Sequence, residues 1–208
     1  MALPRLTSRV PLHLDPLPPE GARIGVAISG GADSTALLLR LHERGGYPIS
    51  AIHVNHGWRG ADSDSDSAFC AALAARLCIP FHLRTLVPVA AEGNLEAAGR
   101  EARLHFFREL IETNEVDYVV TAHTCNDQAE TVLLRLLRGA SLQGLAGIHP
   151  VMGRILRPML HVTREAIVAY LNERGEAWRE DASNADVGFR RNRVRHELLP
   201  QLERDFRI

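Results

Sequence analysis

Arg23-Ile-Gly-Val-Ala-Ile-Ser-Gly-Gly-Ala-Asp-Ser34 is the stretch that decides the fold of this chain. Its first half is a short apolar run suited to a buried strand. Thr35-Ala-Leu-Leu-Leu-Arg-Leu-His42 then reads as a helix, closed by Gly45-Gly46. Between them, Ser29-Gly-Gly-Ala-Asp-Ser34 sits where a strand delivers the chain to the carboxyl edge of a sheet, the place at which open α/β folds bind ligands. Gly30 and Gly31 let an anion approach the amide groups of the loop, Ala32 included, closely, and the following helix points its positive N-terminus at the same spot. Ser29 and Ser34 add hydroxyl donors. Asp33 is the anomaly: a carboxylate beside phosphates repels them unless a cation bridges the two, so it is expected to be a Mg²⁺ ligand. The plainer alternative is a glycine turn in which Asp33 merely caps the helix.

Outward from this stretch, strand and helix alternate. Ile49 to Val54 reads as a strand, Asp64 to Leu77 as a helix, Phe81 to Val87 as a strand and Asn94 to Asn114 as a long helix with Asn94 as its cap. Asp117 to Thr121 is a fourth strand and Asp127 to Leu137 the helix after it. Four repeats with short connections predict an α/β fold, a doubly wound and mainly parallel sheet with helices on both faces. Beyond Arg138 the pattern loosens into a glycine-containing loop to Gly153, a short helix from Thr163 to Asn172, a polar loop from Glu180 to Gly188 and a closing helix from Arg191 to Phe206. The expected organisation is a Pro-rich, irregular lead-in over 1–22, one domain over 23–186, and a basic helical extension over 187–208.

All 24 basic residues are arginine. A lysine-dependent phosphate loop of the Walker type is therefore excluded, and phosphate charge must be met by arginine, amide groups, helix dipoles or metal. Net charge is −1, but it is unevenly spread: residues 1–150 hold 13 Arg against 16 acids, and residues 151–208 hold 11 against 9. From Val187 to Arg195 there are four arginines and no acid, which suits either a phosphate backbone or a solvated helix start. Cys70, Cys78 and Cys125 form no C-x-x-C pair and read as reduced thiols in a cytoplasmic protein. No apolar run is long enough for a membrane span.

The loop resembles the S-G-G-x-D-S motif of the PP-loop ATP pyrophosphatases, a Rossmann-like family that cleaves ATP between its α- and β-phosphates. Further segments resemble tRNA(Ile)-lysidine synthetase. His53-Val-Asn-His-Gly-Trp-Arg59 is similar to its H-V-N-H-G-L-R, and Asn94-Leu-Glu-Ala-Ala-Gly-Arg-Glu-Ala-Arg103 to its N-x-E-x-x-A-R-x-x-R helix. Thr121-Ala-His-Thr-Cys-Asn-Asp-Gln-Ala-Glu-Thr131 is similar to its A-H-x-x-D-D-Q-x-E-T. Leu134 to Gly139, Gly144 to Gly147, Trp178 to Asn184 and Arg191 to Pro200 continue the resemblance, in the family's order. Two departures stand out. Asn126-Asp127 replaces paired aspartates, so one carboxylate is lost. The family's large members also carry C-terminal tRNA-binding domains, so this chain is expected to be either a minimal form or a fragment.

Helical spacing points to a site independently. Asp127 and Glu130 are three apart and share a face, as do Arg100 and Arg103, and His123 lies just past the fourth strand. The bland alternative, surface ion pairing, is preferred for Arg100, and Trp178 is expected to be core rather than a base platform. The resemblance implies ATP and Mg²⁺ held by Ser29 to Ser34, with the backbone of His53 near the adenine. It implies adenylation of the wobble cytidine of tRNA(Ile), then attack by free L-lysine. Arg103 is expected on the phosphates, His123 or Asp127 as proton acceptor, and Asp127 with Glu130 at the lysine's cationic end. Arg190, Arg191, Arg193 and Arg195 are expected on the tRNA backbone. Three rivals share the loop: a tRNA thiolase, a non-catalytic ATP-binding module, and a ligase acting on a small carboxylate. Oligomeric state stays open, a homodimer included.

Overall fold

The computed structural model describes residues 12–58, 60–86, 95–180 and 190–206, with residues 95 and 96 as backbone alone. Asn94, Arg59 and most of the polar loop before the closing helix lie outside these.

The apolar runs become strands β1 (Ile24–Ala27), β2 (Ile49–Asn55), β3 (Phe81–Thr85) and β4 (Tyr118–Val120). Every residue of β2 is buried, the pattern of a central parallel strand covered on both faces. Between and after them run α1 (Ala32–Arg44), α2 (Ala61–Arg76), α3 (Leu95–Glu112) and α4 (Cys125–Leu137). Two short strands that the loosened pattern concealed, β5 (Val151–Met152) and β6 (Ile155–Leu156), complete the sheet, and α5 (Arg164–Glu173) follows. The closing segment is α6 (Arg190–Arg193), a π-helical turn over Val194–Leu198, and α7 (Leu199–Phe206).

Sheet order is β3-β2-β1-β4-β6-β5, parallel throughout except for the β5–β6 pair. The chain leaves β1 toward β2 and β3, then returns to lay β4 on the other side of β1. That reversal makes the carboxyl ends of β1 and β4 the topological switch point, the crevice in which such sheets bind ligands. Two apolar clusters cover the sheet. One joins Ile24, Val26, Leu37, Leu41, Ile167 and Tyr170; the other joins Ile52, Phe106, Phe107, Leu110 and Val119. Trp178 packs partly buried against the first, in keeping with its core reading. Among the described residues no helix is long and apolar enough to cross a membrane.

Candidate functional site

The loop after β1 keeps an open amide face. Gly31 stands at the N-cap of α1, which receives no side-chain cap, and among the described residues the amide groups of Ala32 and Asp33 meet no protein acceptor. Uncapped N–H groups at a helix start are an anion site by construction. The serines shape the loop instead of lining it. Ser34 Oγ receives the Ser29 amide at 3.1 Å, lies 3.2 Å from Ser29 Oγ, and donates to the Gly31 carbonyl. Gly30 has a φ of +86°, and a Cβ there would come within 3.3 Å of Arg179 Cγ and Phe69 Cδ1. The Arg179 amide donates to the Gly30 carbonyl at 2.9 Å while its guanidinium holds Asp66 at 2.8 Å, so a segment 149 positions away braces the turn.

Asp33 lies in the first turn of α1, its side chain 26% exposed. Its Oδ2 faces Arg164 Nη1 at 3.3 Å, while Oδ1 is buried with no hydrogen-bond partner among the described residues. Burial, opposed by Arg164 and reinforced by Asp127, pushes this carboxyl up to about 6. An orphaned carboxylate oxygen beside open amides fits a bridging cation. The amide of Arg164 in turn donates to Asn126 Oδ1 at 3.0 Å. The amide that replaces the expected aspartate thus joins α4 to the start of α5. Neither Arg164 nor Arg179 was singled out by sequence; the absence of lysine was the only hint that further arginines must serve.

Asp127 and Glu130 share a face of α4 as their spacing predicted, but their partners differ from expectation. Thr124 caps α4, and Asp127 Oδ2 accepts from the Thr124 amide at 2.9 Å in a capping box. Asp127 Oδ1 meets Arg191 at 2.7 Å. Glu130 is fully buried and takes Arg191 Nε at 2.6 Å and Arg195 Nε at 2.5 Å. Two of the four arginines expected on a tRNA backbone therefore turn inward, and a carboxylate expected to meet lysine already carries two guanidinium groups. A fully buried carboxylate needs such partners, which is the physical reason for the difference. Arg190 and Arg193 stay exposed.

Three histidines near the crevice, His53, His56 and His123, have pKa values lowered by burial. His123, with Nδ1 2.9 Å from Thr121 Oγ1, is driven down to about 4 by burial and by Arg157, Arg191 and Arg103, against the pull of Asp127. His56 stacks on Trp58, ring centroids 4.6 Å apart, and is also lowered to about 4 by burial and Arg103. Arg103 thus exerts its charge on residues at the carboxyl ends of both β2 and β4, over the crevice. His53 is buried with Nδ1 2.9 Å from the Ile28 carbonyl, which ties its ring to the chain just after β1. The switch point therefore gathers Asp33, Arg103, His123, Asp127 and Glu130, with Arg164, Arg191 and Arg195 against the acids.

Comparison with known proteins gives this geometry a context. Residues 7–202 match a family described as a PP-loop domain. The chain is 53% identical over 185 residues to a tRNA(Ile)-lysidine synthase of Solibacter usitatus, covering 88% of this chain and 41% of that protein. Against the enzyme of the same name from Bacillus subtilis it is 39% identical over 196 residues, 89% of this chain and 42% of that one. Against that of Thermus thermophilus it is 41% identical over 210 residues, 99% and 40%. The chain thus spans about two fifths of the length of these curated relatives. Among solved structures, the U34-tRNA thiolase NcsA of Methanococcus maripaludis shares the fold with a TM-score of 0.72 at 16% identity, covering 90% of this chain and 68% of that chain. The NH3-dependent NAD synthetase of Campylobacter jejuni does so at 0.50 and 17%, covering 90% and 75%. An uncapped glycine loop at the switch point and a family match across nearly the whole chain agree: this chain belongs to the PP-loop domain family.

Proposed function

We propose that this chain carries the catalytic domain of an ATP-dependent tRNA(Ile)-lysidine synthesising enzyme. The observation that carries the reading is the open amide face of Ala32 and Asp33 at the β1–β4 switch point. The identities of 39–53% to enzymes named for that activity support it.

In this reading the Gly30–Asp33 turn binds the triphosphate of ATP through amide groups and the helix dipole. Asp33, whose Oδ1 has no partner among the described residues, would hold Mg²⁺, which would neutralise phosphate charge when bound. The C2 oxygen of an unpaired wobble cytidine attacks the α-phosphorus, and the bond to the β-phosphate oxygen breaks, releasing pyrophosphate. The ε-amine of lysine then attacks C2, the C2–O bond breaks, and AMP leaves. The lysine ammonium must lose protons along this path. His123, held neutral, is assigned as the acceptor. Asp127, with 16% of its side chain exposed, is the acid assigned to the lysine's cationic end, in place of the inaccessible Glu130. Arg103 is assigned to the phosphates, and the exposed Arg190 and Arg193 to the tRNA backbone.

Incubation with labelled ATP, L-lysine and tRNA(Ile) tests this: pyrophosphate release that needs both lysine and tRNA is expected. Release with tRNA but without lysine dependence would argue for another tRNA-modifying activity.

A further inference from the structure

We infer that Arg164 is a phosphate-binding residue, which pairs with Asp33 in this structure and takes the β- and γ-phosphate oxygens of a nucleotide or of free pyrophosphate. The inference rests on the phosphate-loop reading, but not on which base or amine the enzyme joins.

Four observations carry it. First, place: Arg164 Nη1 lies 3.3 Å from Asp33 Oδ2, so its guanidinium already stands at the loop that offers amides to an anion. Second, tenure. Arg191 and Arg195 are bound to Glu130 at 2.6 and 2.5 Å, and Arg179 to Asp66 at 2.8 Å. Arg157 is buried, with Nη1 donating to the His149 carbonyl at 2.6 Å. Arg164 has one long contact and a side chain 44% exposed, so turning toward another anion sacrifices little. Third, anchorage. Its amide is fixed to Asn126 Oδ1 at 3.0 Å, and Thr163 caps the same helix by accepting from the Ala166 amide. A rigid Cα with a swinging head keeps the guanidinium within reach of the loop. Fourth, composition: with no lysine in the chain, any always-cationic side chain that follows a departing pyrophosphate is an arginine.

The partners exchange consistently. Among the described residues Asp33 is the one acid paired with Arg164, so a cation bound by Asp33 frees the guanidinium for the phosphate beside it. The planar guanidinium forms paired hydrogen bonds with phosphate oxygens more readily than it holds one carboxylate oxygen at 3.3 Å.

The test uses inorganic pyrophosphate with Mg²⁺, and AMP, as separate probes in calorimetric titrations of the whole chain. Arg164→Ala and Arg164→Gln are expected to weaken pyrophosphate binding about tenfold, to leave AMP binding within about twofold, and to be partly rescued in Arg164→Lys. Pyrophosphate binding unchanged or tightened in both variants would overturn the inference alone. So would an equal loss of AMP binding, which would mark Arg164 as a structural prop. Wild-type protein that binds no pyrophosphate would overturn the phosphate-loop reading and this inference with it.

Discussion

Glu130 and Arg191 clasp the closing helix to the site: Arg191 Nε lies 2.6 Å from a Glu130 carboxylate that is fully buried, and Arg195 takes the other oxygen at 2.5 Å. Glu130 is the one fully buried side chain on α4, so a charged group does the work that an apolar one does elsewhere in the core. Removing one partner of such a set leaves charge without compensation, at a cost of about 3–5 kcal/mol. Glu130→Ala should therefore lower the midpoint of chemical denaturation sharply, while Arg193→Ala, whose partner Glu197 is exposed, should barely move it. Equal effects from the two variants would contradict the clasp.

Asp33 gives a pH-dependent signature. Its carboxyl is raised from 3.8 to about 6, so the folded protein binds a proton that the unfolded chain releases. Folding stability from this group is present below pH 4 and is lost as pH rises through about 6. In chelator-treated buffer, Asp33→Asn should melt higher than wild type above pH 6 and lose that advantage near pH 4. The same variant should have no ATP turnover. A lower melting point at pH 7.5 would contradict the orphaned carboxylate.

His53, His56 and His123 work in the other direction. All three are lowered from 6.5 by burial, the latter two to about 4. Their contribution is intact above pH 6.5 and falls away as pH drops toward 4, because the unfolded chain takes the protons. Melting temperature against pH, measured in the Asp33→Asn background to remove the opposing group, should decline over that window. Adding His123→Asn should flatten the decline, and an unchanged slope would mean that His123 is not held neutral.

Asn126 tests whether its amide is a handicap or a hinge. Its Oδ1 accepts the Arg164 amide, and a carboxylate would do so equally while placing negative charge at the α5 N-terminus. Asn126→Asp should be neutral or stabilising by about 0.3–1 kcal/mol, and Asn126→Ala destabilising by about 1 kcal/mol. Thermal melts of the two variants decide; a loss in Asn126→Asp would contradict a favourable charge at the α5 N-terminus.

What was legible in sequence was local. The apolar run before Ser29 and the glycines after it place β1 and the loop because strand and turn chemistry lie within one short window. Thr124-Cys-Asn-Asp127 also carries a capping-box pattern, which starts the helix at Cys125, two residues before the Asp127 that its apolar spacing suggests. Two-residue strands such as β5 and β6 leave no periodicity to read. The pairing of Arg164 with Asp33, 131 positions apart, and of Arg191 with Glu130, 61 apart, has no local signal, since the folded sheet alone brings them together.

The central claim is that the turn after β1 grips phosphates beyond the first. Calorimetric titration of the chain with ATP and with AMP, each in Mg²⁺, measures it most directly. The account predicts one site that binds ATP markedly more tightly than AMP, with pyrophosphate displacing the difference. Equal affinity for ATP and AMP, or no binding of either, would contradict it.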